Sequence, residues 1–441
     1  MKTMAWLVVV AAACAMVGCK FGLKYSVGGT VTGLSGTGLV LQNNLRNDLR
    51  VNSNGAFSFS EGLSNRDAYS VTVKTQPSNP SQTCTVKNGS GNIDQADVTN
   101  VIVSCVLPGR YAYVANELSN TVSAYSINSV SGALLSVGGS PFAAGGTAPV
   151  ALVVEPSGKF LYVANQGSNE VVVYSINAAT GALVSTGLPI VTGLSPQALC
   201  IDPTDTYLYV ANIASNNVSA FAINSSTGRL TEVLNSPFLV GTQPTSLKID
   251  PSGKFLYVTN FGSNTVAVLA INSATGTVSP IAGSPFGAGA GPVSIAIDLA
   301  GTFAYVANET GATISAYSIN SSTGALTAAT GSPISTGSSP ESLSVDPAGR
   351  HVYAANVTSQ NQVMVYSITP SSGALTANSP VAAGIVPLSL ALDPSGHFVY
   401  VANDRSNTIS VYAVNAASGA LTEISHSPFA AGNAPRSIVI D

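Results

Sequence analysis

Charged residues are scarce in this chain: Asp, Glu, Lys and Arg make up 8% of its 441 residues, and histidine occurs three times. With 16 basic against 20 acidic side chains, a formal net charge of −4 and no basic cluster, it has no electrostatic footprint for nucleic acid. Its five cysteines show no zinc-ligand spacing. There is no Gly-x-Ser-x-Gly elbow and no glycine-rich phosphate loop, which removes two common routes to hydrolysis and nucleotide binding. Nothing calls for a metal or a cofactor. The apolar run at residues 5–17 falls short of the roughly 20 residues needed to span a bilayer. Helical periodicity is absent too. What fills the chain is Gly, Ser, Thr and Asn around short apolar stretches, a composition common outside the cytoplasm, where neutral polar groups keep a surface soluble.

Lys2, the apolar run and Gly18-Cys19 have the layout of an export signal. Met16-Val17-Gly18-Cys19 resembles the lipobox of bacterial lipoproteins, with Met16 where Leu is usual. The resemblance implies a signal peptide at 1–18, a lipid on the Cys19 sulfur and a tether at 19–24. An ordinary secretory signal cut nearby is the alternative. Lys20 resembles the outer-membrane-retained pattern, so the expected location is the cell envelope, with the membrane as partner through the lipid. Losing Lys2 would move the net charge from −4 to −5. Cys14 leaves with the signal. Cys84 and Cys105 share a small domain of a secreted chain, which predicts a disulfide. Cys200, inside an apolar strand, is expected to be a buried, inert thiol.

Residues 25–106 read as short strands at 25–32, 39–42, 49–52, 56–60, 69–74, 84–87 and 98–105, which predicts a small β-sandwich. Ser53-Asn54-Gly55 predicts a hairpin turn, because Asn and Gly tolerate positive φ. The module resembles the immunoglobulin- or transthyretin-like domains that follow the anchor in many bacterial surface proteins, which implies a spacer. From residue 108 the chain repeats itself. Tyr-Val-Ala-Asn, or a one-letter variant, ends at Asn116, Asn165, Asn212, Asn260, Asn308, Asn356 and Asn403, at intervals of 47 to 49 residues. Such a period without helices is the signature of a β-propeller with one blade per repeat. Each repeat supplies strands A to D; in the second, A is 150–154, B 160–164, C 171–176, and D starts at Ala182. The region enters at a strand B and finishes with a strand A at 435–441, so the two halves should complete one blade. The predicted fold is all-β: a sandwich, then a ring of seven four-stranded blades at 108–441 with no open sheet edge.

The Tyr-Val-Ala-Asn and Tyr-Val-Thr-Asn (257–260) repeats, with Asp-Pro-Ser-Gly-Lys turns (250–254), resemble the lactonase-like, YVTN-type seven-bladed propellers. That family spans cytoplasmic phosphogluconolactonases and surface-layer proteins without established chemistry. What recurs in every blade is read as architecture. The seven Asn residues should bond to nearby backbone, and the Asp-Pro-Ser-Gly turns should be tight turns and not calcium loops, having one carboxylate each. What varies can carry function. At the channel mouth the residue after each Asn reads Glu117, Gln166, Ile213, Phe261, Glu309, Val357 and Asp404. The residue after each D–A proline reads Val150, Gln197, Thr245, Val293, Glu341, Leu388 and Arg436. Antiparallel pairing of A with B puts Arg436 beside Glu117 in the blade closed by the chain ends. Asp404 and Arg405 come from the blade on one side, Gln166 from the other, and Glu341 one blade further round. Ile213, Phe261 and Val293 make the opposite side apolar.

Two accounts of the mouth stay open: an ion-pair network over the closure seam, or a site for a small amphipathic ligand. Lactone hydrolysis would need a base to activate water and a cation to stabilise the oxyanion. Glu117 would be the base and Arg436 or Arg405 the electrophile. Asn116-Glu117-Leu118 and Pro435-Arg436 resemble the Asn-Glu-Leu and Pro-Arg-His motifs of the lactonases, but Ser437 stands where that family has His. His351 and His397 are expected at solvated turns on the far face, and His426 near the end of a D strand. A phosphorylated sugar is disfavoured by two arginines against four carboxylates (Glu117, Glu309, Glu341, Asp404). The leading expectation is a monomeric, lipid-anchored propeller that binds a small ligand, glycan or protein partner at the mouth without catalysis. Gln166, Gln197, Phe261, Glu341, Asp404 and Arg405 would be its ligand contacts. The alternatives are a lactonase using Glu117 and Arg436, and a purely structural envelope protein.

Overall fold

The computed structural model describes residues 23–34, 37–77, 82–106, 111–357 and 361–441. The expected signal segment, Cys19 and its tether up to residue 22 lie outside the described residues. The chain divides into two compact units, residues 1–108 and 109–441. Among the described residues there is no helix.

The first unit is a sandwich of ten strands: β1 Lys24–Tyr25, β2 Val27–Thr32, β3 Leu39–Asn43, β4 Asn47–Val51, β5 Gly55–Ser58, β6 Leu63–Ser64, β7 Ala68–Thr75, β8 Thr83–Lys87, β9 Ser90–Asn92 and β10 Val98–Val106. One sheet runs β5-β2-β10-β8 and the other β4-β3-β7-β9, with β1 paired to β6. Leu39, Leu41, Val27, Val31, Val101 and Val103 fill the space between them. Strand β2 lies parallel to β10, with Gly29 opposite Val101. A Cβ at Gly29 would meet the Val101 carbonyl oxygen at 1.7 Å, so only glycine allows this approach. Cys84 and Cys105 face each other across β8 and β10 and form the predicted disulfide. The turn at Ser53-Asn54-Gly55 is not a hairpin: it carries the chain from β4 in one sheet to β5 in the other. Asn54 is held there by two hydrogen bonds to the Leu34 backbone, at 2.7 and 3.0 Å. The hairpin is β3–β4, where Asn44 and Leu45 both have positive φ.

The second unit is the seven-bladed ring. Blade 2 shows the pattern: A Pro149–Val154, B Phe160–Asn165, C Glu170–Ile176, and D in two pieces, Leu183–Ser185 and Ile190–Val191. Blade 1 is built from B Tyr111–Asn116, C Thr121–Ile127 and D Leu134–Ser136, and its A strand is Pro435–Ile440. Ala112 to Asn116 pair with Ile440 back to Pro435, so the last strand completes the first blade. D is split in this way in every blade. In blades 1, 3, 4, 5 and 7 a Ser-Pro pair interrupts the strand, and the serine hydroxyl accepts an N–H from strand C, as Ser140 does from Ala124 at 2.8 Å.

The B strands are buried along their whole length, because each is covered by a neighbour on both faces. Tyrosine hydroxyls stitch the ring: Tyr113, Tyr162, Tyr209, Tyr257, Tyr305 and Tyr400 each donate to a glycine carbonyl in the C–D turn of the next blade, at 3.0 to 3.1 Å. All seven strand-ending Asn residues are fully buried. Asn116 donates to the Thr121 and Ser123 hydroxyls, in place of the expected backbone partners, and accepts the Gly432 backbone N–H, bonds that tie strand B to strand C and to the D–A loop. The A–B aspartates cap their own turns; Asp250 accepts from the Ser252, Lys254 and Phe255 backbone.

His351 overturns its expected place. It begins strand B of blade 6, where other blades have Phe or Tyr, and is buried with Nδ1 2.8 Å from Asp346 Oδ2. Blade 6 has Ala348 where Asp250's turn has Ser252, so the carboxylate oxygen that takes the serine hydroxyl there is open to the imidazole here. His397 and His426 are exposed. Cys200 is buried, and burial pushes its thiol pKa strongly up, so it stays protonated.

Candidate functional site

The mouth of the channel is assembled by a backbone clamp that recurs from blade to blade. The N–H after each strand-ending Asn donates to the carbonyl just before the strand-A proline: Glu117 to Ala434, Gln166 to Ala148, Phe261 to Gln243, Glu309 to Gly291. Those carbonyl residues have positive φ, including Ala148, Val386 and Ala434. An L residue rarely adopts that conformation, and a β-branched one least of all. It is held by an Asn from the preceding blade: Asn120 Oδ1 accepts the Ala148 N–H at 2.8 Å, Asn361 the Val386 N–H at 2.9 Å, and Asn407 the Ala434 N–H at 2.9 Å. The residues after Asn and after Pro are thereby fixed side by side.

These clamps surround a cavity of about 460 Å³ at the ring axis. Arg436, Glu341, Glu309, Gln197 and Phe261 are in its wall, with Ile213, Val293, Val150 and Leu388. Arg436 Nε donates to Glu117 Oε2 at 3.1 Å, with both side chains about a third exposed or less. Glu117 itself stands behind Arg436 and not in the wall. Gln166 is also set back, and reaches the cavity by donating to Gln197 Oε1 at 2.7 Å. Asp404 and the exposed Arg405 lie outside the wall.

Glu341 has the most unusual environment. Burial pushes its carboxyl up, the neighbouring Glu309 carboxylate and a hydrogen bond with Glu309 push it further, and Arg436 pulls it back only partly. Its pKa lies at about 7. Two carboxyls that share a site cannot both ionise cheaply, so Glu341 beside Glu309 keeps its proton to higher pH than an ordinary carboxyl. Among the described residues no group of three or more His, Cys, Asp or Glu could hold a metal ion, and no histidine lines the cavity.

The sequence places Glu309 at the mouth without singling it out as a site residue. Its signal is the same internal comparison that finds Glu117, since both follow a strand-ending Asn. Apart from Ser437, the wall serines escape sequence reasoning. Ser246, Ser294, Ser342, Ser389 and Ser437 occupy one repeated position, two residues after the strand-A proline. Ser246, Ser294, Ser342 and Ser389 accept an N–H from strand A of the next blade at 3.1 to 3.4 Å. Ser437, where the lactonases have His, is therefore the repeat's ordinary residue.

Known proteins with this architecture include a protein of Lactobacillus plantarum, 20% identical, covering 76% of this chain and 100% of that one with a TM-score of 0.66. A periplasmic gluconolactonase of Pseudomonas aeruginosa is 20% identical over 75% of this chain and 98% of that one, with a TM-score of 0.63. A Bacteroides uniformis protein put forward as a 6-phosphogluconolactonase is 19% identical over 75% and 99%, with a TM-score of 0.67. At these identities the likeness is one of fold. No curated protein sequence matches the chain significantly. Residues 68–245 and 240–436 match the family described as lactonase, 7-bladed beta-propeller, and the chain belongs to it.

Proposed function

We propose that this protein is a lactonase acting on uncharged ring esters at the channel mouth. The observation that carries the reading is the convergence of Glu309, Glu341 and Arg436 on one cavity. In this reading the ionised Glu341 carboxylate takes a proton from water as the oxygen attacks the lactone carbonyl carbon. Arg436 faces the oxyanion that forms. The ring C–O bond then breaks, the proton passes to the departing oxygen, and a hydroxy acid leaves. A base with a pKa near the working pH suits this task. Glu117 positions Arg436 and does not act as the base, because its carboxylate is spent on the guanidinium. Phosphorylated substrates are disfavoured, since the one wall arginine is already paired and two carboxyls face it.

The test is turnover of a panel of unphosphorylated lactones with the wild type, Glu341→Gln and Arg436→Ala. Hydrolysis that drops about 100-fold or more in both variants supports the reading; hydrolysis unchanged in Glu341→Gln sinks it. A second reading, ligand binding without catalysis, is favoured by the Glu117–Arg436 pair and by the serine at 437; it predicts saturable binding with no turnover.

The same proposal includes location. The Cys84–Cys105 disulfide is what an oxidising compartment supports, and the lipobox-like segment would anchor the chain through Cys19. Labelling cells with a radioactive fatty acid should mark the wild type and not Cys19→Ser; label that persists in the variant would remove the anchor.

A further inference from the structure

At the mouth, the residue after a strand-ending Asn can reach the residue after the strand-A proline of the next blade. Glu309 of blade 5 hydrogen-bonds in this way with Glu341 of blade 6. Gln166 of blade 2 donates through Nε2 to Gln197 Oε1 of blade 3, at 2.7 Å. The two pairs stand three blades apart in a ring of seven, nearly half a turn, so the amides face the carboxyls across the axis. A primary amide has one accepting end and one donating end. With its oxygen held by Gln166, Gln197 turns its NH2 to the cavity, and that group has no protein partner among the described residues. The other polar groups of this sector differ. Thr245 donates its hydroxyl to the Pro292 carbonyl at 2.8 Å, and Ser246 accepts the Ile295 N–H. Gln243 is held through its backbone N–H by Asn216, while no hydrogen bond among the described residues fixes its amide.

We propose that Gln197 is a specificity-determining donor positioned by Gln166, and that the cavity selects lactones with an acceptor oxygen on the side of the ring turned away from Glu341 and Arg436. The place of the ring rests on the lactonase reading; the orientation of the amide does not. A ligand oxygen at that point replaces water on the Gln197 NH2. A carbon in the same place removes the water and offers no acceptor. The difference is that of one neutral hydrogen bond, about 3- to 10-fold in affinity. Gln166 stands back from the wall, and its part is to decide which end of the neighbouring amide the ligand meets.

The test uses six-membered lactams, in which an amide replaces the ring ester and resists hydrolysis, titrated calorimetrically into the purified chain. Each ring carbon in turn carries a methoxy group, which only accepts, or an ethyl group of the same shape, which does neither. At one ring position or more the methoxy member should bind tighter by the stated factor, and Gln197→Leu should abolish that preference. Gln166→Glu is the sharper variant. Above neutral pH its carboxylate can only accept, so the Gln197 amide must turn over and present its oxygen to the cavity. The preference should then invert in favour of ethyl; both ligands are neutral, so the added charge does not bias the comparison. No binding by any lactam, no methoxy preference, or a preference unchanged in Gln197→Leu or Gln166→Glu overturns the proposal. Matched lactones are assayed for turnover in parallel. Oxygen-selective binding without turnover keeps this inference and removes the lactonase reading. Turnover with no methoxy preference does the reverse.

Discussion

The Glu341 carboxyl ionises at about 7 in the folded protein against an ordinary value of 4.5. A raised folded pKa means that the native state holds the proton more tightly than the unfolded chain. The contribution to stability is complete below the ordinary value and is lost as pH rises through 7. The melting temperature should therefore fall between roughly pH 5 and pH 8, and fall less in Glu341→Gln. The comparison with the variant matters because Asp205, raised to about 6 by burial and by Glu155, loses stability over much of the same range. Activity should run the other way, with kcat/KM rising through about pH 7 as the base forms. Glu309→Gln removes one of the causes of the shift, so it should move that rise to lower pH; a profile left in place would mean that burial alone sets it. Glu117→Gln, by loosening Arg436, should lower kcat more than it raises KM, which steady-state kinetics would read directly.

The turns and clamps have their own energetics. Asp250 accepts hydrogen bonds from three backbone N–H groups of its A–B turn, so Asp250→Ala should cost about 1–3 kcal/mol by chemical denaturation. Asn407 holds the positive φ of Ala434, two residues before Arg436. Asn407→Ala should therefore depress activity beyond its effect on stability, and a loss of stability alone would show that the clamp does not position the arginine. These elements also mark how far the sequence can be read. The Asn, Asp-Pro-Ser-Gly and proline positions recur around the ring, and their period by itself yields blade count, strand order and the Glu117–Arg436 contact. The Ser-Asn-Gly turn misleads because positive φ fixes a tight turn but not which sheet each flanking strand joins. His351 misleads through its residue type: it stands five residues after Asp346, as Phe255 does after Asp250, but a polar ring at that position reads as a solvated turn residue until packing shows it buried against Asp346. The raised Glu341 carboxyl is out of reach for a different reason: it depends on burial and on the nearness of Glu309, and neither is written in the spacing of the repeat.

The ring as a whole depends on one pairing, between residues 112–116 and 435–440. Without strand A, blade 1 would expose the edge of its strand B and the face of its neighbour. A chain ending at residue 434 should lose its sharp thermal transition and self-associate, and a peptide of residues 435–441 added in excess should restore the transition. Recovery without added peptide would show that six blades and a fragment suffice. The sandwich unit has a separate core, tied by a disulfide whose removal should cost about 3 kcal/mol for its 21-residue separation. The closing strand is also the one that carries Arg436, while Glu117 follows the strand it pairs with. Residues 435–440 leave the ribosome after the other six blades have been made. The cation of the proposed site therefore arrives last, and a partly synthesised or partly folded ring is chemically silent. Hydrolysis, once detected, would report that the circle has closed.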